Sequence, residues 1–414
     1  MRGVEMQWNR SLPNGTKDKL FKEASHSHQL ESLVNQHFAL RGYHRIETPL
    51  IEFEEVFSAM DQKATSRYRF FDEQGQIVVL RPDMTLPIGR VMSTTGIIPP
   101  VQLFYSGKVF RVNKDHSGEY NEQLQAGMEL IGYPSLKAEA ECLINAVTVS
   151  QKSGLSDFQI ELGHASIYQT IVEALQLSAQ EKTRFKWLLQ SKNMPAMALF
   201  LEKYEAHPLY NFVLKLPRLF GDAGIFEEVI SLTNHPEILK AIDEMKDLIQ
   251  RVQQVYPRQD LTVDIGLVPE MKYYTGITFK GYADRSSDAF FSGGRYDNLL
   301  TEFSVDTIEA VGLVFYLDRM YSIFNRQENS DALEISTLIY FENDCLHQAE
   351  QLISNQANSR LSLQETLEET IEYAKQWGIP RILIVSNEGI EEVCLASKED
   401  ENGEGKNCVN QRTD

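Results

Sequence analysis

The chain has 414 residues, 42% of them apolar, which is enough for two or three domains with a large core and excludes a disordered or fibrous protein. Acidic residues outnumber basic ones 59 to 40, for a net charge of -19, and no Lys/Arg cluster is long enough to follow a phosphate backbone. The balance argues against nucleic acid as the main partner. No apolar run reaches membrane-spanning length and the segment MRGVEMQWNR lacks the core of a signal peptide, so a cytoplasmic protein with no membrane partner is expected.

In chain order, the turn Leu12 to Asp18 offers Thr16 or Asp18 as a cap for a helix. Apolar Leu20, Phe21, Ala24, Leu30, Leu33, Val34 and Phe38 recur at helical spacing and predict an amphipathic helix ending at Arg41 and Gly42. His26, His28 and His37 lie on or near it without metal-ligand spacing and read as ordinary boundary histidines. Tyr43 to Ile51 reads as an extended segment that Pro49 confines to an edge or interface.

From Tyr68 the pattern is strand, turn at Glu73 to Gly75, then the apolar strand Ile77 to Leu80, which runs into Arg81-Pro82-Asp83-Met84-Thr85. Such a stiffened turn after a buried strand can mount binding groups. Asp83 and Thr85 could share a ligand amine, or Asp83 could simply cap the helix beginning near Thr85.

Phe104 to Gly132 reads as an antiparallel strand pair around a polar loop centred on Asp115 to Gly118. In its second strand, period two places Leu124, Ala126, Met128 and Leu130 on one face and Gln125, Gly127 and Glu129 on the other. An amide and a carboxylate flanking a glycine, with Arg111 on the partner strand, suit a small zwitterion. A solvated outer sheet face is the alternative.

A helix near Leu136 to Lys152 and a strand near Phe158 to Leu162 follow, and then helical runs dominate from about Ala165 to Tyr256. Strand character returns at Leu261 to Leu267 and Ile277 to Tyr282, with Pro269 to Gly276 between. In Phe291 to Asp297 the paired glycines predict a tight turn preceding Arg295. Ala310 to Tyr316 is an apolar strand entering a helix with Asp318 and Arg319. Cys142, Cys345, Cys394 and Cys408 are scattered without metal spacing, so free thiols and no metal site are expected.

From Leu12 to about Met320 the chain resembles the catalytic domain of histidyl-tRNA synthetase, a class II aminoacyl-tRNA synthetase. The matching residues are Gly15-Thr16-Lys17-Asp18, Glu47-Thr48-Pro49, Leu80-Arg81-Pro82 with Asp83 and Thr85, Phe110-Arg111, and Gln125 to Glu129. Further on they are Tyr273-Tyr274-Thr275-Gly276, Gly293 to Asp297 and Asp318-Arg319. The resemblance implies an α+β fold, an antiparallel sheet flanked by helices across 1–325, with a helical insertion at about 165–256. It also implies a dimer built through the first motif and a histidine pocket. In that pocket Asp83, Thr85 and Gln125 match positions that take the α-amine, Glu129 and Tyr274, with Tyr273 beside it, match positions near the imidazole, and Arg111 matches the arginine near the carboxylate.

The departures from the synthetase pattern fall on the ATP side. Asn113 stands where an acidic residue reads adenine, Glu119 and Asn121 stand where two arginines meet phosphates, and Pro269 stands where the carboxylate-activating arginine belongs. Loss of a comparable electrostatic donor raises a reaction barrier by several kcal/mol. No catalytic residue, metal or cofactor is therefore expected. Residues 333–395 resemble a reduced anticodon-binding α/β domain, best matched at Ala374 to Gly378, and 397–414 read as a disordered polar tail.

A synthetase-like chain with these losses resembles the regulatory subunits of ATP phosphoribosyltransferase, the first enzyme of histidine biosynthesis. That resemblance implies a hetero-oligomer, a hetero-octamer, with a short-form catalytic subunit, and feedback inhibition relayed from L-histidine. A divergent histidyl-tRNA synthetase and a tRNA- or histidine-sensing paralogue remain the alternatives.

Overall fold

The computed structural model describes residues 10–58, 67–113, 120–269, 273–284, 286–303, 306–325 and 335–395. They fall into two compact units divided between residues 329 and 330. The predicted loop centred on 115–118, Glu119, residues 270–272, Cys408 and the tail 397–414 lie outside the described residues.

The first unit opens with helix α1 (Phe21–Leu40), whose Leu30, Val34 and Phe38 enter the main core. Neither Thr16 nor Asp18 caps it: Leu20 is the cap residue without a side-chain bond, and the Thr16 hydroxyl instead donates to the Pro13 carbonyl within its own turn. The predicted extended segment is two short strands, β1 (His44–Arg45) and β2 (Ile51–Phe53), in different sheets, because Pro49 between them cannot continue a ladder. Strand β3 (Arg69–Phe71) and β4 (Ile77–Leu80) join β2 in a small antiparallel sheet. Helix α2 (Thr85–Thr95) follows, ended by Gly96 at φ 70°, and then the long hairpin β5 (Val101–Phe110) and β6 (Glu122–Ile131).

Helix α3 (Lys137–Lys152) and strand β7 (Phe158–His164) lead into the insertion. It holds α4 (Ala165–Ala174), α5 (Ala179–Gln190), α6 (Met194–Leu201), α7 (Tyr210–Lys215), α8 (Ile225–Leu232) and α9 (Pro236–Val255). It also contains a two-residue strand that helical periodicity hid, β8 (Phe220–Gly221), paired to β9 (Asp260–Asp264). β9 lies parallel to β7, so the insertion fills a crossover connection, the form a parallel pair requires.

The unit closes with β10 (Ile277–Ala283), β11 (Phe291–Arg295), β12 (Ala310–Tyr316) and α10 (Leu317–Asn325). The nine-stranded sheet runs β1-β5-β6-β12-β11-β10-β7-β9-β8, antiparallel except at the pairs β1 with β5 and β7 with β9. Gly293 and Gly294 thus lie inside strand β11, not in the predicted tight turn. They are needed there for close approach, since a Cβ on Gly293 would overlap the carbonyl of Gly312 and sit 2.5 Å from the Phe279 ring.

In the second unit β13 (Thr337–Phe341), α11 (Leu346–Asn355), β14 (Ser359–Leu361), α12 (Leu367–Trp377), β15 (Arg381–Ser386) and β16 (Gly389–Cys394) form a four-stranded sheet, ordered β14-β13-β15-β16, with two helices. A capping box at Thr366 and Glu369 starts α12, and Gly378 at φ 67° ends it. Cys142 and Cys345 are buried free thiols, and Cys394 lies exposed.

Candidate functional site

The core strands of the large sheet carry a cavity on one face. Directly paired residues of antiparallel strands point the same way, so the register lines up Glu129, Gly312, Gly294, Thr278 and Gly163 as one row across β6, β12, β11, β10 and β7. The adjacent row is Tyr105, Gly127, Val314, Ser292 and Lys280. Glycines within these rows make the room. A Cβ on Gly312 would overlap the Glu129 carboxylate, one on Gly127 would lie 2.6 Å from the Tyr105 hydroxyl oxygen, and one on Gly294 2.8 Å from Tyr274. Three polar side chains therefore fold flat against the sheet where larger residues would fill the space.

All seven residues singled out in the sequence line this cavity: Asp83, Thr85, Arg111, Gln125, Glu129, Tyr273 and Tyr274. The face of β6 carrying Gln125 and Glu129 is not a solvated outer surface, for these residues are only 3% and 1% exposed. Ala126, Met128 and Leu130 occupy the opposite face in the core, and Leu124 packs partly buried against it.

Asp83 and Thr85 descend from the turn after β4. Asp83 accepts from the Leu86 amide at 2.9 Å, which caps the first turn of α2, and lines the cavity as well. The Thr85 hydroxyl does not pair with Asp83 around a shared point. Its proton goes to Oε1 of Glu129 at 2.8 Å, while the Tyr296 hydroxyl donates to Oε2 of the same carboxyl. Arg111 is tethered by a bond from Nε to the Pro82 carbonyl, 2.8 Å, and lines the cavity near enough to Asp83 to act on its charge.

Burial governs the electrostatics. It pushes the Glu129 carboxyl up to about 8, against the donors Tyr296, Thr85 and Tyr105 that favour the anion, and neighbouring Asp83 adds a further push. Burial also raises Asp83, opposed by the Leu86 amide and by Arg111. The phenols of Tyr105, Tyr273 and Tyr296 are driven well above their usual range by the same desolvation. Two buried carboxyls held above their ordinary range form an acceptor-rich wall that a cationic or N–H-bearing ligand would relax. At the same time the Gln125 side-chain nitrogen and the Thr278 hydroxyl are buried without a hydrogen-bond partner among the described residues.

Tyr105, Tyr296 and Thr278 are among the cavity residues that the sequence reading did not assign to the pocket. Tyr296 lies inside the Gly293 to Asp297 match, whose period-two alternation was the available signal. Arg295, the obvious charged residue of that match, turns away: it sits in a buried ion pair with Glu139, 2.7 Å from Nη2 to Oε2, and reaches Asp297 at 3.1 Å.

On the side where the synthetase pattern carries ATP contacts, Asn121 is a buried tie. Its oxygen accepts from the Asn113 amide at 2.9 Å, and its nitrogen donates to the Asn14 carbonyl and the Tyr68 hydroxyl at 3.2 and 2.8 Å. Asn113 donates from its side chain to the Tyr120 carbonyl. Pro269 lines the cavity with an apolar ring. No cluster of three or more His, Cys, Asp or Glu side chains able to hold a metal occurs among the described residues. His37 instead pairs with Asn145 at 2.7 Å.

Fold and cavity together define a protein of the class II, histidyl-tRNA synthetase-like kind, and the histidyl-tRNA synthetase family profile matches residues 15–320. A histidyl-tRNA synthetase from Nostoc sp. PCC 7120 superimposes at TM-score 0.77 with 18% identity, covering 93% of this chain and 95% of its own, a likeness of fold. A Bacillus halodurans structure described as an ATP phosphoribosyltransferase regulatory subunit/histidyl-tRNA synthetase reaches TM-score 0.78 at 25% identity, covering 91% and 97%. At the level of sequence, an ATP phosphoribosyltransferase regulatory subunit of Listeria monocytogenes serotype 4b is 46% identical over 94% of this chain and 98% of its own length. One from Bacillus cereus is 35% identical over 92% and 93%. The chain belongs to the family of ATP phosphoribosyltransferase regulatory subunits.

Proposed function

We propose that the cavity binds L-histidine, and that the chain performs no aminoacylation but relays the level of this amino acid to a short-form catalytic subunit of ATP phosphoribosyltransferase. The observation that carries the reading is the convergence of seven polar side chains in one cavity whose two carboxyls burial holds above their ordinary range. Histidine brings an ammonium and ring nitrogens to such acceptors and a carboxylate to Arg111. Asn121, its side chain locked by three hydrogen bonds, and apolar Pro269 support the non-catalytic half, since neither can stabilise charge developing on a phosphate or an activated carboxylate.

The proposed partner assembly is a hetero-octamer containing self-associated copies of this chain. Supporting the self-association, Ile51 and Phe53 of β2 and Phe70 of β3 share one face of the small sheet and are 48%, 50% and 38% exposed, an apolar surface of the kind that marks an interface. The second unit is read as a reduced anticodon-binding domain.

Phosphoribosyl-ATP formation by the short-form catalytic subunit, with and without this chain across a histidine titration, tests the proposal. Activation by the chain and its reversal by histidine are expected, with no ATP-pyrophosphate exchange by the chain alone. Exchange that depends on histidine would overturn the non-catalytic reading in favour of a synthetase.

A further inference from the structure

We propose that Asn121 is a positioning residue for Arg111, fixing the stretch of chain that carries the guanidinium and so sharpening recognition of the ligand's carboxylate; the inference rests on the histidine reading above. Arg111 is the first residue beyond β5, and the ladder of the long hairpin closes with the pair Phe110 and Glu122. What holds the chain past that point is Asn121, which directly precedes β6 and is 8% exposed. Its backbone carbonyl accepts from the Arg111 amide at 2.8 Å, and its side-chain oxygen accepts from the Asn113 amide at 2.9 Å. One residue thus grips the backbone at Arg111 and again two residues later.

Asn121 is itself anchored from outside the hairpin. A turn closed by the bond from the Thr16 amide to the Pro13 carbonyl presents two successive carbonyls to it, Asn14 to the side-chain nitrogen at 3.2 Å and Gly15 to the backbone amide at 2.6 Å. The same side-chain nitrogen donates to the Tyr68 hydroxyl at 2.8 Å. Gly15 stands at φ 75°, and a Cβ there would lie 2.5 Å from Cγ of Asn121, so the turn rests flat on the amide because this residue is glycine. On the guanidinium itself, Nε is committed to the Pro82 carbonyl, and neither Nη has a hydrogen-bond partner among the described residues. Two donors in a rigid fork match a carboxylate. Holding them ready before the ligand arrives spares the entropy of ordering a long side chain, which is worth about two- to tenfold in affinity.

The test is titration calorimetry of the whole chain with L-histidine and with L-histidinol, which keeps the ammonium and the ring but carries an alcohol in place of the carboxylate. Asn121→Leu, of similar volume and without a hydrogen-bonding group, is expected to bind histidine about fivefold more weakly than wild type and histidinol within about twofold. Gly15→Ala presses on Asn121 from the turn and lies outside the cavity. It is expected to move the two affinities in the same sense, and it decides the matter if Asn121→Leu does not fold. In an Arg111→Gln background either substitution is expected to weaken histidine by less than about twofold, because the group that Asn121 positions is gone. A merely structural role would lower both affinities alike and would persist without Arg111. Equal losses for the two ligands, losses undiminished in Arg111→Gln, or unchanged histidine affinity in folded Asn121→Leu would overturn the positioning role and leave the histidine reading standing. Wild-type protein that binds no histidine would overturn both.

Discussion

At the scale of single residues the site turns on Glu129, 1% exposed and held by Thr85 and Tyr296. Its folded-state value of about 8 lies above the ordinary value of 4.5, so between these pH values the folded protein keeps a proton that the unfolded chain releases. Stability must therefore fall as pH rises through that window. Glu129→Gln removes this titration, and its melting temperature relative to wild type is expected to climb from pH 5 to pH 8 and then level off. A difference independent of pH would contradict the assignment. Binding of a ligand that favours the carboxylate expels the proton, so the calorimetric enthalpy of histidine binding at pH 7 should differ between phosphate and Tris buffers in wild type. In Glu129→Gln the buffer dependence of any residual binding should be smaller than in wild type. Gly312→Ala would place a methyl group on the Glu129 carboxylate and should weaken histidine binding by about tenfold or more. The pairing of Gln125 with Glu129 on one face was legible because period-two alternation is a local property of one strand. The roles of Gly312 and Gly294 were not, because they depend on register between strands far apart in sequence, which no local pattern encodes.

At the scale of elements, β11 shows how a charged motif residue can serve the scaffold. Arg295 ties β11 to α3 through Glu139, reaches the Tyr133 carbonyl at 3.3 Å, and is 9% exposed. Both partners are buried, so removing one leaves a desolvated charge. Glu139→Ala is expected to lower unfolding free energy in urea by about 3–5 kcal/mol. A loss under about 1 kcal/mol would mean that the guanidinium finds water instead. Glycine pairs signal turns when read alone, which is why this strand looked like one; inside a sheet they signal that another backbone or ring lies close. Helical runs, by contrast, announced the insertion from α4 to α9 correctly, since each carries its own period. Only the two residues of β8, too few to alternate, escaped.

At the scale of the molecule, the first unit contains every residue that lines the cavity, and it has its own core, built around Phe38, Phe279, Phe291 and Phe315. The second unit closes separate clusters around Ile339, Cys345 and Val385 and around Leu338, Ala374 and Ile382. Independent cores mean that neither unit depends on the other for the burial that drives folding. Histidine recognition should then belong to the first unit alone. A chain ending at residue 329 is expected to bind histidine within about threefold of the full chain, since a larger change requires contacts worth well above RT. If the truncated chain folds, by its melting transition, yet fails to bind, the second unit must supply groups to the ligand or fix the geometry of Arg111 and Tyr274. If it binds normally but no longer regulates the catalytic subunit, recognition and relay are divided between the two units, and the second unit acts on the partner instead of on the amino acid.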